Sequence, residues 1–312
     1  MVQEKTYISI KAKPLISIIT LNWNQTETTC QFLESTKKLT YKNYEILVCD
    51  MGSTVDPGPR IYNGNYPNTR LLRTDNNSKT TSGVNWAVKQ ASGDFILLIN
   101  NHTEVTESLL EDLLAPLLTD NVLGVTCPKI RSFYNKDVIE YAGYKPVNKV
   151  TGGNTIIGNK QKDKGQYDKR AYTHGAYTGA MMLRKSVIEK AGMLPQNFFI
   201  YFDDSDVSAR IIKNGYKILY QPQAVVYNKS SMALGTHKTA MQVYYTTRNR
   251  IMYMRKNSNL AQFTAFMLFF TLFFTPYNIL QFGVRRQFNH VKAFIKAIIW
   301  HIKTGKKSNG YN

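Results

Sequence analysis

Two short stretches hold most of the groups that can do chemistry. The first, residues 198–210, reads FFIYFDDSDVSAR and places Asp203, Asp204 and Asp206 within four positions. Three carboxylates so close repel one another, and unless cations or helix amides compensate, at least one holds its proton more tightly than usual. A carboxylate in that condition suits general-base work. Helix capping alone needs one aspartate, not three. The second stretch, residues 95–105, reads FILLINNHTEV: an apolar run, then Asn100, Asn101, His102, Thr103 and Glu104. Short apolar runs are the mark of buried parallel strands, and open α/β sheets gather ligands just beyond the carboxyl ends of those strands. His102 at such a tip faces a bound ligand or, in the plainer reading, solvent.

The elements that would position these groups are legible from composition. LISIITL at residues 15–21 is a β-rich run ended by Asn22-Trp23-Asn24, and a helix follows over 26–39 with Thr26 and Thr28 as capping candidates. YEILVC (44–49) is the next strand, closed by the turn composition Asp50-Met51-Gly52-Ser53, and residues 69–73 form a third. A polar loop leads to a helix around 83–91 and then to FILLIN. Strands alternating with helices at this spacing predict βαβ units and a mostly parallel, Rossmann-like sheet, with a nucleotide-binding layer over about 14–125. Residues 128–170, rich in Gly, Lys and Asn, read as loops or a β-ribbon over a site. Order resumes with YTGAMML (177–183), a helix over 186–191, a helix opening at the aspartates and stopping at Gly215, and a strand from Ile218. Trp23 and Asp50 then sit at the tips of the first two strands, where an aromatic can stack on a base and a carboxylate can accept its hydrogen bonds.

Charge and apolar runs divide the chain differently. Net charge is +19, yet no Asp or Glu follows Asp206 while sixteen Lys and Arg do. A tail so lopsided attracts a polyanion. Residues 257–284 carry no charge and include AFMLFFTLFF before Pro276, long enough for a membrane span, while their Asn, Gln, Thr and Pro fit an interfacial helix first and a re-entrant or protein-buried one besides. Beyond it, Phe288 to Ile302 repeats apolar residues on one helical face with Lys292, Lys296 and Lys303 elsewhere, a pattern for lying on an anionic bilayer or packing in a helical bundle. Nucleic acid is set aside as a partner because the basic residues alternate with long aliphatic stretches, not with a base-reading motif. The domain reading is therefore a unit over 1–256, its acceptor part about 126–256, and a membrane-associating unit over 257–312. Cys30, Cys49 and Cys127, odd in number and widely spaced, fit a reducing compartment better than a disulfide framework. The run at 15–21 is too short for the core of a signal peptide, which favours cytoplasmic exposure.

The pieces ISIITLNWN, ILVCDMGSTVD, TDNNSKTTSGVNWAVKQASGDFILLINNHTEV, YTGAMMLRKSVIEKAGML, FFIYFDDSDVSAR and YYTTRNRIMYMRK, in that order, resemble the inverting family-two glycosyltransferases, especially the rhamnosyltransferase-like branch. The resemblance covers roughly residues 14–256 and implies an α/β glycosyltransferase A fold acting on a nucleotide diphosphate sugar. It implies that Leu21 and Trp23 hold the base, that Asp50 bonds its edge with Ser53 supporting the turn, and that Lys79 and Asn85 belong to the loop and helix beside the donor. Asn101 takes the ribose-side position. Asp204 falls on the general base, flanked by Asp203 and Asp206, and Thr178, Gly179 and Ala180 line the sugar and acceptor side. The acceptor would be a glycan or a polyprenyl-linked sugar in cell-surface polysaccharide synthesis, and a homo-oligomer is compatible with all of this.

Two positions depart from the family. His102 stands where an Asp usually binds the metal, and Asn228 where a His usually does. A neutral His can bind Mn²⁺, whereas Mg²⁺ prefers oxygen and Asn is a weak ligand for either. Metal-independent action is the alternative, with Lys79, Lys229, Arg248 and Arg250 as available cations. The same substitutions leave open a subunit that binds nucleotide sugar or acts as a scaffold without turnover.

Overall fold

The computed structural model describes residues 13–74, 80–229 and 239–304. Its strands are β1 (Ile16–Asn22), β2 (Tyr44–Asp50), β3 (Thr69–Arg73), β4 (Phe95–Ile99), β5 (Thr103–Val105), β6 (Leu123–Ser132), β7 (Val138–Tyr141), β8 (Gln161–Lys162), β9 (Ala171–Thr173), β10 (Ala180–Arg184) and β11 (Lys217–Asn228). They form one sheet whose main path runs β3-β2-β1-β4-β10-β6-β11-β5. The β3-β2-β1-β4 part is parallel, and β10 enters antiparallel between β4 and β6. Ile18, Leu47, Leu97 and Met182, one from each of four neighbouring strands, are buried, which is why those strands read as continuous apolar runs and not as alternating ones.

The helices α1 (Thr26–Thr36), α2 (Gly58–Asn63), α3 (Thr80–Gln90), α4 (Leu109–Thr119), α5 (Lys185–Ala191) and α6 (Asp203–Lys213) connect these strands. At the start of α1 neither capping threonine serves: Gln25 holds the cap position without a side-chain bond. Thr29 instead sends its hydroxyl back to Asn22 at the β1 tip, 2.7 Å away. The 128–170 segment supplies the end of β6 and a short ribbon of β7 and β8, extended by a bridge between Tyr144 and Ile156. That ribbon puts Tyr144 and Asn154 over the site.

Helix α7 (Ala240–Asn257) is followed by a long apolar helix, Leu260–Val284, made of α8 (Leu260–Phe269), a π-helical turn (Phe270–Phe274) and α9 (Thr275–Val284). An Asn259 and Gln262 capping box starts it. The wide turn lies just before Pro276, which has no N–H to give. At 25 residues the helix extends about 37 Å, enough for a hydrocarbon layer of about 30 Å. Leu272, Phe273 and Leu280 are exposed along it. Helix α10 (Phe288–Thr304) divides its apolar face: Phe294 and Ala297 pack inward with His301, while Phe288, Ile295 and Ile302 remain exposed. The bundle reading of that pattern thus holds for the inner residues, and the outer ones face away from the protein. A second core unites Phe198, Val243, Ile251 and Met254 with Phe266, Phe270 and Phe294, so apolar packing runs on across residue 256.

Candidate functional site

The tips of β1, β2 and β4 and the start of α1 are tied together by one buried polar network. Asn22 donates to Asp50 Oδ1 at 2.8 Å and to Ser53 Oγ at 3.2 Å, and its own oxygen accepts from Thr29. Asn101 donates to Thr29 Oγ1 at 3.0 Å. Ser53 donates to Asp50 at 2.5 Å and accepts the Asn24 backbone N–H at 2.8 Å, fixing the turn on either side of Trp23. Arg73 stands 3.5 Å from the other Asp50 oxygen. Inside a protein such a network is worthwhile because every member is satisfied. Asn22 is its hub and was not singled out from sequence, although the polar Asn-Trp-Asn directly after an apolar strand is a usable signal.

This geometry corrects one expectation: Asp50 is fully buried and both its oxygens are occupied, so it shapes the rim from beneath instead of offering an edge to a base. Trp23 is about half exposed on that rim, and Leu21 lies against Met51 where α3 passes close at Gly83. Asn85 is a second correction. Its amide donates to the Leu194 carbonyl and accepts the Leu194 N–H, both at 2.8 Å, which makes it a clamp between α3 and the turn after α5. Lys79 lies outside the described residues.

Asn100 joins this rim to a cavity. Its amide nitrogen is 3.3 Å from His102 Nε2 and donates to the Tyr177 hydroxyl at 3.1 Å. An amide N–H can only donate, so His102 Nε2 is the acceptor and Nδ1 carries the proton. Burial lowers the His102 pKa, which keeps the ring neutral at physiological pH. The cavity, about 500 Å³, is lined by Asn100, Tyr144, Thr178, Gly179, Asp203 and Asp204 among others. At Gly179 a Cβ would come within 2.4 Å of both the Asn100 amide and the Tyr177 ring, so any larger residue would have to displace those two side chains.

Asp204 is buried with both oxygens held: Tyr144 donates its hydroxyl to Oδ2 at 2.6 Å, and Ser205 donates its N–H to Oδ1 at 2.7 Å. Burial nonetheless raises the Asp204 pKa, these donors opposing the shift. Asp203 is pushed up to about 7, by burial first and by the charge of Asp204 second. Asp206 is fully buried below them and pairs with Arg210 at 2.9 Å and Lys256 at 3.0 Å, fastening α6 to the end of α7.

The approach to Asp203 is strained. Phe199, Tyr201 and Phe202 have φ of 66°, 65° and 66°, a region that aromatic residues avoid. The Asn249 amide nitrogen lies 2.7–2.9 Å from the carbonyls of Phe198, Ile200 and Tyr201, and Arg248 donates to the carbonyls of Asn197 and Phe198. Arg248 and Arg250, expected as phosphate-binding cations, are therefore corrected: Arg248 holds this loop, and Arg250 stacks 4.5 Å over Phe274. Lys229 lies 3.8 Å from Glu104 and over the Phe133 ring. Asn249, the residue between the two arginines, was missed.

The expected metal ligands do not assemble a metal site. Asn228 donates its amide to buried Glu140 at 2.7 Å, and His102 has the Asn100 amide beside it. Among the described residues no group of three or more His, Cys, Asp or Glu is placed to hold a metal. This donor set does not fit an oxygen-seeking divalent cation.

Comparison with known proteins agrees with the fold. The structure superposes on GalNAc-T7, solved with UDP, GalNAc and Mn²⁺, with a TM-score of 0.64 at 15% identity, over 94% of this chain and 58% of that one. Both have the glycosyltransferase A fold. In sequence the chain is 24% identical over 227 residues to the N-acetylglucosaminyl-diphospho-decaprenol L-rhamnosyltransferase of Mycobacterium tuberculosis, covering 66% of this chain and 73% of that protein. It is 29% identical over 108 residues to the UDP-Glc:alpha-D-GlcNAc-diphosphoundecaprenol beta-1,3-glucosyltransferase WfgD of Escherichia coli, covering 35% of this chain and 43% of that protein. The chain spans 28% of the length of y4gI of Sinorhizobium fredii, to which it is 24% identical over 262 residues, 79% of this chain. The Glycosyl transferase family 2 model matches residues 17–192, more than half of the chain, and the protein belongs to that family.

Proposed function

We propose that the protein is an inverting transferase that moves a hexosyl or rhamnosyl group from a nucleotide diphosphate sugar to a hydroxyl of a glycan or polyprenyl-linked acceptor, in building a cell-surface polysaccharide at the inner face of the cell membrane. The observation that carries this reading is Asp204, a buried carboxylate of raised proton affinity in a cavity that Asn100 connects to the strand-tip rim. In the step proposed, the acceptor oxygen attacks the anomeric carbon and its proton passes to Asp204. The bond from that carbon to the diphosphate breaks on the opposite face, and the nucleoside diphosphate leaves with the electron pair. One displacement inverts the configuration. Trp23 and Leu21 take the base, Asn101 faces the ribose, the His102 Nδ1–H donates to the diphosphate, and Thr178 and Gly179 bound the sugar. Asp203 and Asp206 support Asp204, one by charge and one by anchoring α6.

The test is a panel of nucleotide sugars with lipid-linked acceptors, read for transfer and for the anomeric configuration of the product. Product of configuration opposite to the donor supports the reading; retained configuration overturns it. Donor binding without turnover by wild type, given a competent acceptor, favours the scaffold, a reading supported by His102 and Asn228 at the two positions where the family usually has metal ligands.

Two further outcomes are expected. Tyr144→Phe removes a donor to the ionised Asp204, which raises the proton affinity of that carboxylate, so the acid limb of the pH–rate profile moves to higher pH. An unmoved limb contradicts the assignment. Chelator lowers wild-type turnover by less than about threefold, whereas His102→Asp makes turnover respond to Mn²⁺ by about tenfold or more, because a carboxylate replaces a neutral donor there. Wild type silenced by chelator contradicts that.

The exposed apolar helix Leu260–Val284 and the outward lysines of α10 support membrane association. Binding to anionic liposomes that weakens with salt, without binding to duplex DNA, is the corresponding result.

A further inference from the structure

A second cavity, about 480 Å³, adjoins the one that holds Asp204. Tyr144, Asn154 and Ser205 line both, so the two are separated by single side chains. Its walls are the outer face of α6, the 144–154 ribbon and the junction of α7 with the apolar helix. Lys145, Lys149, Lys213 and Lys256 line it, and no carboxylate does. Lys256 shares Asp206 with Arg210, and among the described residues no salt bridge involves Lys145, Lys149 or Lys213. Lys149 bonds the Asn257 carbonyl at 2.8 Å, and burial lowers its pKa, as it does for an ammonium with no anion beside it among the described residues. Asn154 donates to Ser205 at 2.8 Å, while its own Oδ1 is buried without a hydrogen-bond partner. A buried orphaned acceptor is costly unless a ligand resolves it, and the unpaired lysines beside it offer an anion its counter-charge.

The position says which ligand. Ser258 and Asn259 form one wall, and the next residue, Leu260, is 83% exposed at the start of the apolar helix. A molecule in this cavity thus has the Asp204 cavity on one side and the apolar helix on the other. Resting on the transferase reading above, we propose that this pocket binds the diphosphate of a lipid-linked acceptor, Lys145, Lys149 and Lys213 meeting its phosphate oxygens. Its sugar then reaches past Asn154, whose Oδ1 accepts a sugar hydroxyl, toward Asp204, and its lipid leaves along Leu260–Val284.

The experiment is titration of the full chain with geranyl diphosphate, inorganic pyrophosphate and geraniol, alongside a donor nucleotide sugar. Wild type is compared with Lys145→Gln/Lys213→Gln. Both lysines are exposed, so the variant is expected to fold and to bind donor as wild type does. Geranyl diphosphate is expected to bind wild type more tightly than pyrophosphate or geraniol. The double variant should lose about tenfold or more of that affinity, the order of a charge-assisted hydrogen bond, with geraniol binding unchanged. Lysine-independent affinity, or displacement by the nucleotide sugar, overturns the pocket and places the diphosphate in the donor site. Equal affinity for pyrophosphate with the same lysine dependence overturns the lipid assignment in favour of a free anion. Wild type that binds no nucleotide sugar fails the transferase reading, whereas wild type that binds donor but treats the two lysines as irrelevant fails only this inference.

Discussion

Asp204→Asn is expected to lower kcat by about 10²–10⁴-fold while leaving the donor KM within a few-fold of wild type, as befits removal of a general base. Asparagine keeps the shape, its oxygen accepting the Ser205 N–H while its amide donates to a rotated Tyr144 hydroxyl, so the loss isolates proton transfer from packing. Asp203→Asn should behave differently. Asp203 ionises against an already charged Asp204, so a neutral asparagine there removes only that second ionisation near 7, with a smaller loss of rate. Stability follows from the same shift. The folded-state pKa of Asp203 is raised from 3.8 to about 7, so the native protein binds its proton more tightly than the unfolded chain does. Ionisation therefore opposes folding fully above about 7, and progressively less as pH falls from there toward 3.8. Asp203→Asn should melt higher than wild type at pH 8 and lose that advantage by about pH 4. If Asp203→Asn were the dead variant and Asp204→Asn the mild one, the two roles would exchange.

Asn249→Ala is expected to lower kcat by about 10²-fold and the melting temperature by roughly 4–8 °C, read by kinetics and thermal unfolding. Left-handed backbone costs about 1–2 kcal/mol per residue, and three aromatic residues adopt it immediately before the aspartates. The Asn249 amide bonds the carbonyls of that loop, so without it the segment can relax and carry Asp203 and Asp204 away. Destabilisation alone would depress every parameter of the enzyme. A positioning role predicts a split: kcat falls and donor KM stays, because the donor rim is built on the tips of β1, β2 and β4. A variant that melts lower but turns over normally would remove Asn249 from the mechanism.

The parallel part of the sheet was legible because strands buried on both faces leave apolar runs, and LISIITL, YEILVC and FILLIN each became a strand within one residue at either end. The polar tips of those runs were legible for the same reason. What stayed hidden was direction. Composition does not say that Arg248 and Arg250 turn into the helical core, or that the Asn85 amide faces the Leu194 backbone and not the donor. Asp50 shows the limit most clearly: strand position puts it at the rim, yet only the fold reveals Asn22, Ser53 and Arg73 consuming its carboxylate from below. The strain at Phe199, Tyr201 and Phe202 has no signature in FFIYF, since none of these is a glycine. The α10 face was ambiguous in periodicity because its inner and outer apolar residues obey one repeat, and it is packing against α7 and the apolar helix that separates them.

The claim that the strand-tip rim and the Asp204 cavity form one site is tested most directly by a crystal structure with a nucleotide diphosphate sugar bound. The account predicts the base on Trp23, the diphosphate against His102, and the anomeric carbon opening onto the cavity with its far face toward Asp204. A nucleotide seated elsewhere, or a sugar turned away from Asp204, would contradict it.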